Sequence, residues 1–189
     1  SHSWVPITKT SELLNILELY ELPRAVDIVL TGGEPLIYAN DEIFVSFLEK
    51  LTQKGHQITF ETNGSIAVDF EKYPVYKKSI FALSIKLSNS NEPLSKRVRG
   101  DVIYSIASQA KDAFFKFSID AESITIGLED EIDDIIIHSP KTKVYCMPVG
   151  GNKEEVEKNS EPLIEFCKAK GYNFSDRLHI RIWDINKGV

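Results

Sequence analysis

Ala25-Val26-Asp27-Ile28-Val29-Leu30-Thr31-Gly32-Gly33-Glu34-Pro35 reads as a strand that runs directly into a glycine turn. The first six residues form a short block rich in apolar and β-branched side chains. Gly32 and Gly33 then let the backbone turn sharply and approach a ligand with no Cβ in the way. Pro35 sets the exit of the turn. Glu34 is placed to accept hydrogen bonds from an ammonium group, a charge-assisted contact.

Outward from this stretch, apolar blocks alternate between two periods. Upstream, Thr10 is a candidate cap for a helix over 11–20, with Leu13, Ile16, Leu17 and Tyr20 on one face. Downstream, 41–54 reads as a helix that turns Ile43, Phe44, Phe47, Leu48 and Leu51 inward and stops at Gly55. Strands are expected at 57–61, 79–87, 113–119, 143–147 and 177–183. Helices are expected from Asp101 as a cap, over 129–137, and over 152–170 with Gly171 as its stop. Such alternation with short connections implies an α/β fold, a parallel sheet covered by helices, in one domain over 1–189. Periodicity leaves open whether the sheet is flat or curved into a partial barrel. In both cases ligands sit at the carboxyl ends of the strands.

Composition narrows the function classes. The chain has 189 residues, 42% hydrophobic and 26% charged, with a formal net charge of −6. The negative balance disfavours nonspecific nucleic-acid binding. Lys96, Arg97 and Arg99 form a small basic cluster that reads as a solvated loop. No apolar run approaches the roughly 18 residues of a membrane span, and no signal-peptide pattern is visible, so the expected location is the cytoplasm. Cys146 and Cys167 are the only cysteines. Two thiols do not make a disulfide framework, nor can they alone hold an iron–sulfur cluster. Cys167, within an apolar helical pattern, reads as a buried thiol.

The other strand ends are also polar or glycine-rich. One carries Glu61-Thr62-Asn63-Gly64, another Ser84-Ile85-Lys86-Leu87-Ser88-Asn89-Ser90, and a later one Cys146-Met147-Pro148-Val149-Gly150-Gly151. A lysine within an apolar strand needs a partner or a polar cavity, or else it snorkels to the surface. Four such ends on one rim suggest a single small-molecule pocket.

Thr31-Gly32-Gly33-Glu34-Pro35 resembles the GGE motif of the radical S-adenosyl-L-methionine superfamily, and Glu61-Thr62-Asn63-Gly64 its E-T-N-G segment. Ser84 to Ser90 resembles the S-P-K-x-S-N-S segment of the 7-carboxy-7-deazaguanine synthases, with Ile85 in place of proline. Phe114-Phe115-Lys116-Phe117 and the ending Arg177 to Trp183 with Lys187-Gly188-Val189 are similar to the same family. The resemblance implies a partial (β/α) barrel with parallel strands. It implies a lyase in queuosine biosynthesis that converts 6-carboxy-5,6,7,8-tetrahydropterin to 7-carboxy-7-deazaguanine with loss of ammonia. Its cofactors would be S-adenosyl-L-methionine, a 4Fe-4S cluster and Mg2+. Its partners would be an external electron donor such as a flavodoxin and a second copy in a homodimer, with no nucleic acid and no membrane.

By the same resemblance, Gly32, Gly33, Glu34, Asn63, Ser84, Ile85, Lys86, Met147, Pro148, Val149 and Gly150 would bind S-adenosyl-L-methionine. Thr31 and the terminal carboxylate of Val189 would bind the pterin, and no catalytic residue is assigned. The family's three-cysteine motif would lie upstream of Ser1, which is where the cluster's ligands are expected. Two other readings share these residues. One is a glycyl-radical activating enzyme of the same superfamily. The other is a cluster-less member of the fold that binds a nucleotide without catalysis.

Overall fold

The computed structural model describes residues 6–22, 25–90 and 92–186. Six strands form one sheet: β1 (Asp27–Leu30), β2 (Gln57–Thr62), β3 (Ile80–Leu83), β4 (Asp112–Ile119), β5 (Lys143–Pro148) and β6 (Asn173–Phe174). All five pairings are parallel, and the spatial order equals the sequence order. A sheet that never reverses its winding, with right-handed crossovers, places its connecting helices on one face. This is the winding of a partial barrel rather than of a doubly wound sheet, which has a switch point.

The helices are α1 (Thr10–Glu18), α2 (Glu42–Gln53), α3 (Leu94–Arg97), α4 (Gly100–Gln109), α5 (Ala121–Thr125), α6 (Leu128–Ile136), α7 (Lys153–Lys170) and α8 (Leu178–Trp183). Strand alternation sorts the sheet into two faces. Ile58, Phe60, Phe81, Leu83, Phe115, Phe117, Val144 and Cys146 are buried beneath the helices. They pack with Leu48, Leu51, Ile103, Ile106 and Leu163 in one core cluster. The residues between them in the chain, such as Thr59, Glu61, Lys116, Tyr145 and Met147, are only half-buried. Val29 on β1 is 54% exposed. One face is therefore the core and the other an open, polar-rich face. Among the described residues no helix is long and apolar enough to cross a membrane.

Local signals account for most element ends. Asp41 caps α2 by accepting from the Phe44 N–H, and Asn152 caps α7 by accepting from the Glu155 N–H. Gly171, at φ 71°, closes α7 in the left-handed region.

Several expectations are corrected. Thr10 is not a cap; it lies in the first turn of α1, and its hydroxyl donates to the Ile43 carbonyl. The packed face of α1 is Leu13, Leu14 and Leu17, while Ile16 and Tyr20 are exposed. Val45 joins the inward face of α2, where Ile43 is only half-buried. Asp101 does not cap α4; it sits in its first turn and binds the Arg99 guanidinium. The expected strand 79–87 ends at Leu83.

The largest correction is 177–183. Leu178, Ile180 and Ile182 alternate like a strand, but the segment is helix α8, of which only Ile180 is buried. The place beside β5 is taken instead by β6.

Candidate functional site

Because the strands are parallel, the ends of β1, β2, β3 and β5 share one rim. The β1 turn opens with Gly32 at φ 109°, a conformation that L side chains rarely adopt. Among the described residues, and apart from the flanking ones, no atom lies within 4 Å of where a Cβ would stand on Gly32 or Gly33. Their backbone therefore faces open space at the rim, and Thr31 beside them is exposed.

Glu34 does more than the sequence suggested. Its Oε1 accepts from the Leu36 N–H at 3.1 Å and from the Thr62 hydroxyl at 2.7 Å. Its Oε2 accepts from the Asn63 N–H at 2.7 Å. One carboxylate thus caps the 3-10 turn Pro35–Tyr38 and ties the end of β1 to the end of β2. Oε2 keeps a lone pair for one further donor. Thr62 is buried, and its hydroxyl oxygen also accepts from the Gly64 N–H. The Asn63 side chain accepts from the Ser65 N–H. Gly64 has φ 69°, and a Cβ there would meet the Ile85 Cδ1 at 2.5 Å.

At β3 the Ser84 N–H donates to the Thr62 carbonyl at 2.7 Å, which carries the pairing one residue past the strand. Ile85 is turned into the core at 3% exposure, so only its backbone can face a ligand. Lys86 is exposed beyond the strand end. It lines a cavity of about 160 Å³ together with Asn63, Glu92, Lys96 and Arg97. The lysine is thus not inside a strand: it is exposed and borders this small polar cavity.

At β5 Met147 and Val149 are half-buried, whereas Pro148 and Gly150 are buried. Gly150 is not a backbone-exposing residue: a Cβ would stand 2.7 Å from the Val156 nitrogen on α7. The Val149 N–H donates to the Ile119 carbonyl, joining this end to β4. On the open face, Lys116 Nζ donates to Glu61 Oε1 at 2.8 Å, reaching from β4 over β3 to β2. The register sets Ala82 between Glu61 and Phe114, so Lys116 reaches back diagonally from further along β4. A cavity of about 1010 Å³ lies elsewhere, between α3 and α6, and touches none of the assigned site residues. Val189 lies outside the described residues.

Sequence reasoning missed Arg97 and Glu131. Of the basic cluster, Lys96 and Arg99 are exposed as expected, but Arg97 is buried at 8% exposure. Its Nε donates to the Glu92 carbonyl at 2.6 Å, and its NH1 to the Lys86 carbonyl at 2.8 Å and to Glu131 Oε1 at 2.5 Å. Glu131 Oε2 accepts from the Ser88 N–H at 3.0 Å and hydroxyl at 2.7 Å. Burial alone would raise the Glu131 pKa, but the two Ser88 bonds and Arg97 outweigh it and hold the carboxyl below its ordinary value.

No family model matches the chain. It is 25% identical over 200 residues to the 7-carboxy-7-deazaguanine synthase of Rhodopirellula baltica, covering 99% of this chain and 73% of that one. It is 26% identical over 201 residues to the 7-carboxy-7-deazaguanine synthase of Halobacterium salinarum, covering 96% and 75%. Among solved structures, QueE from Escherichia coli superposes with a TM-score of 0.59 at 18% identity, over 90% of this chain and 64% of that chain. The chain is QueE-like. Streptococcus suis SuiB shares the fold at a TM-score of 0.56 and 14% identity, over 90% and 43%. The QueE-like chain thus spans just under two thirds of the Escherichia coli QueE chain.

The Glu34 carboxylate binds the Asn63 N–H, and Lys86 lines a cavity with Asn63. A carboxylate and a lysine at adjoining strand ends are residue types that fit the two charges of an amino-acid zwitterion, such as the methionine end of S-adenosyl-L-methionine. The cluster is a different matter. Among the described residues no group of three or more His, Cys, Asp or Glu could hold a metal ion. Cys146 and Cys167 are buried on the helix-covered side. The neighbouring Cys167 sulfur, and burial, push the Cys146 thiol far up, away from the thiolate that iron requires. The described residues do not fit a cluster, and Mg2+ gains no ligand set from them.

Proposed function

We propose that this chain binds S-adenosyl-L-methionine at the joined ends of β1, β2 and β3 and belongs to a radical lyase that makes 7-carboxy-7-deazaguanine. What carries the reading is the Glu34 carboxylate, which bridges the β1 turn to Thr62 and Asn63 while Gly32 and Gly33 beside it present open backbone. The two relatives named 7-carboxy-7-deazaguanine synthase support the same reaction.

In this reading Glu34 Oε2 takes the methionine ammonium, assisted by the backbone of Gly32 and Gly33. Lys86, with the Asn63 amide, takes the carboxylate. Ser84 and the Ile85 backbone line the same end. Met147 and Val149 on the open face carry the adenosine, with Pro148 and Gly150 holding that turn against α7. Thr31 and the carboxylate of Val189 meet the pterin. When bound, the cofactors would supply the radical that starts the conversion of 6-carboxy-5,6,7,8-tetrahydropterin, with loss of ammonia; the described residues offer the cluster no ligands. A flavodoxin-like donor, Mg2+, a homodimer, a cytoplasmic location and a single domain over 1–189 complete the proposal.

Equilibrium binding of S-adenosyl-L-methionine to the anaerobically reconstituted protein tests it, together with product analysis on carboxytetrahydropterin. The expected result is saturable binding that Glu34→Ala weakens more than it weakens folding, and release of ammonia with the deazaguanine. Binding without product, with no iron bound after reconstitution, would instead support the cluster-less nucleotide-binding reading. No binding at all would overturn both.

A further inference from the structure

The basic residue that the rim depends on is buried behind it. Arg97 is in contact with two carbonyls and a carboxylate at once: Glu92, Lys86 and Glu131. Its side chain is 7% exposed and that of Glu131 18%. A guanidinium offers five donors in a rigid fork, so it can hold several acceptors in fixed relation, which an ammonium cannot. Through Glu131 the same unit fixes Ser88 by its N–H and its hydroxyl. Ser90 then closes the turn, its N–H and hydroxyl both reaching the Leu87 carbonyl. Beyond Leu83 this stretch has lost its β-ladder apart from the bond at Ser84, so its backbone is held by these contacts instead.

We infer that Arg97 and Glu131 are positioning residues: they hold the backbone from Lys86 to Ser90 so that the Lys86 ammonium stands beside Asn63 to receive the carboxylate of the amino-acid ligand. This rests on the reading of the rim given above. It assigns a role to two residues that touch no ligand themselves. Arg97 fixes the Lys86 backbone, from which the side chain reaches the cavity it lines with Asn63.

The test must separate placement from stability. Replacing a buried ion pair by apolar residues of similar volume is often neutral for folding. Arg97→Met with Glu131→Leu should therefore keep the thermal midpoint while freeing the segment. Amide exchange at Ser88 and Ser90 should speed up in this double variant. Its affinity for S-adenosyl-L-methionine should fall about tenfold, the effect of one misplaced charge-assisted contact. Decarboxylated S-adenosylmethionine, which lacks the group that Lys86 would meet, should bind the wild type and the double variant equally. Arg97→Lys keeps the charge but not the fork, and should behave like the double variant in affinity. Unchanged exchange at Ser88 and Ser90, or an S-adenosyl-L-methionine affinity unchanged in variants of a wild type that binds, would overturn the assignment. Equal weakening toward both ligands would overturn it too, since the carboxylate would not be the group concerned. A wild type that binds neither ligand would overturn the reading of the rim itself, while the exchange rates would still decide whether Arg97 and Glu131 order the segment.

Discussion

The rim is held in two different ways. At β1 and β2 one carboxylate, Glu34, lies between adjacent strand ends and takes donors from Leu36, Thr62 and Asn63 directly. At β3 the polar segment has no such neighbour. It is held from behind by Arg97, on a four-residue helix, and Glu131, on α6. The first device can itself touch a ligand, because Oε2 remains open to one more donor. The second is spent on the backbone. A site can thus combine a ligand-binding clamp with a purely positioning one, and the two should respond differently to substitution.

The largest effect is expected from breaking the second device on one side only. Arg97→Met leaves the Glu131 carboxylate partly buried with Ser88 but without its cation. A loss of about 3 kcal/mol is expected, the low end for a broken buried pair because Glu131 keeps some exposure. Urea denaturation would measure it, and addition of Glu131→Leu should restore most of the loss. If the single and double variants are equally unstable, Arg97 contributes packing rather than a charge pair.

The first device should cost less. Glu34→Ala removes the acceptor of the Thr62 hydroxyl and of the Leu36 and Asn63 N–H groups but leaves no uncompensated buried charge, and Asn63 is only half-buried. About 2 kcal/mol is expected, typical for hydrogen bonds to a charged group. Unlike Arg97→Met, this change should also weaken ligand binding when measured well below the unfolding transition. Gly64 is where the two regions meet. Gly64→Ala places a methyl against the flexible tip of Ile85 and forces a left-handed conformation on alanine. The Ile85 tip can shift, so the conformational cost of about 1–2 kcal/mol should dominate. Gly64→Asn tolerates that conformation better, yet its longer side chain must displace Ile85. If alanine and asparagine destabilise equally, space rather than φ decides this position.

The difference between the two regions also explains what could be read in the sequence. Thr31 to Pro35 and Glu61 to Gly64 each keep their polar groups and glycines within a few consecutive residues at a strand end, so the neighbourhood of these two ends was legible. The parallel alternation was legible too, because each crossover carries its own apolar period. Arg97 and Glu131 were not, since their partners lie 34 and 43 residues apart in the chain and a charged side chain in a loop defaults to solvent. The pairing of Glu61 with Lys116 was hidden for the same kind of reason, since the two lie 55 residues apart and meet over an intervening strand. Leu178 to Trp183 failed differently. Its period-two pattern is real, but β6 already occupies the sheet edge and only Ile180 finds the core.

The smallest expected effect is acid sensitivity confined to the second region. There Asp120 accepts from the Ser123 N–H and hydroxyl and from the Asn89 side chain. Burial would raise its pKa, but these bonds outweigh burial and hold it below the ordinary value, as they do for Glu131. A carboxyl whose pKa is depressed by folding adds stability that is fully present above its unfolded value, about 3.9 for Asp and 4.3 for Glu. That stability is lost as pH falls through the lower folded value. Near neutral pH both contributions should therefore be constant, and below about pH 4 both should decline together. Amide exchange corrected for its intrinsic pH dependence would show this as falling protection at Ser88 and Ser123. In Asp120→Asn the decline at Ser123 should vanish while that at Ser88 persists, because Glu131 still titrates. A decline that persists at Ser123 in that variant would assign the acid response to global unfolding rather than to the carboxylates that hold this side of the rim.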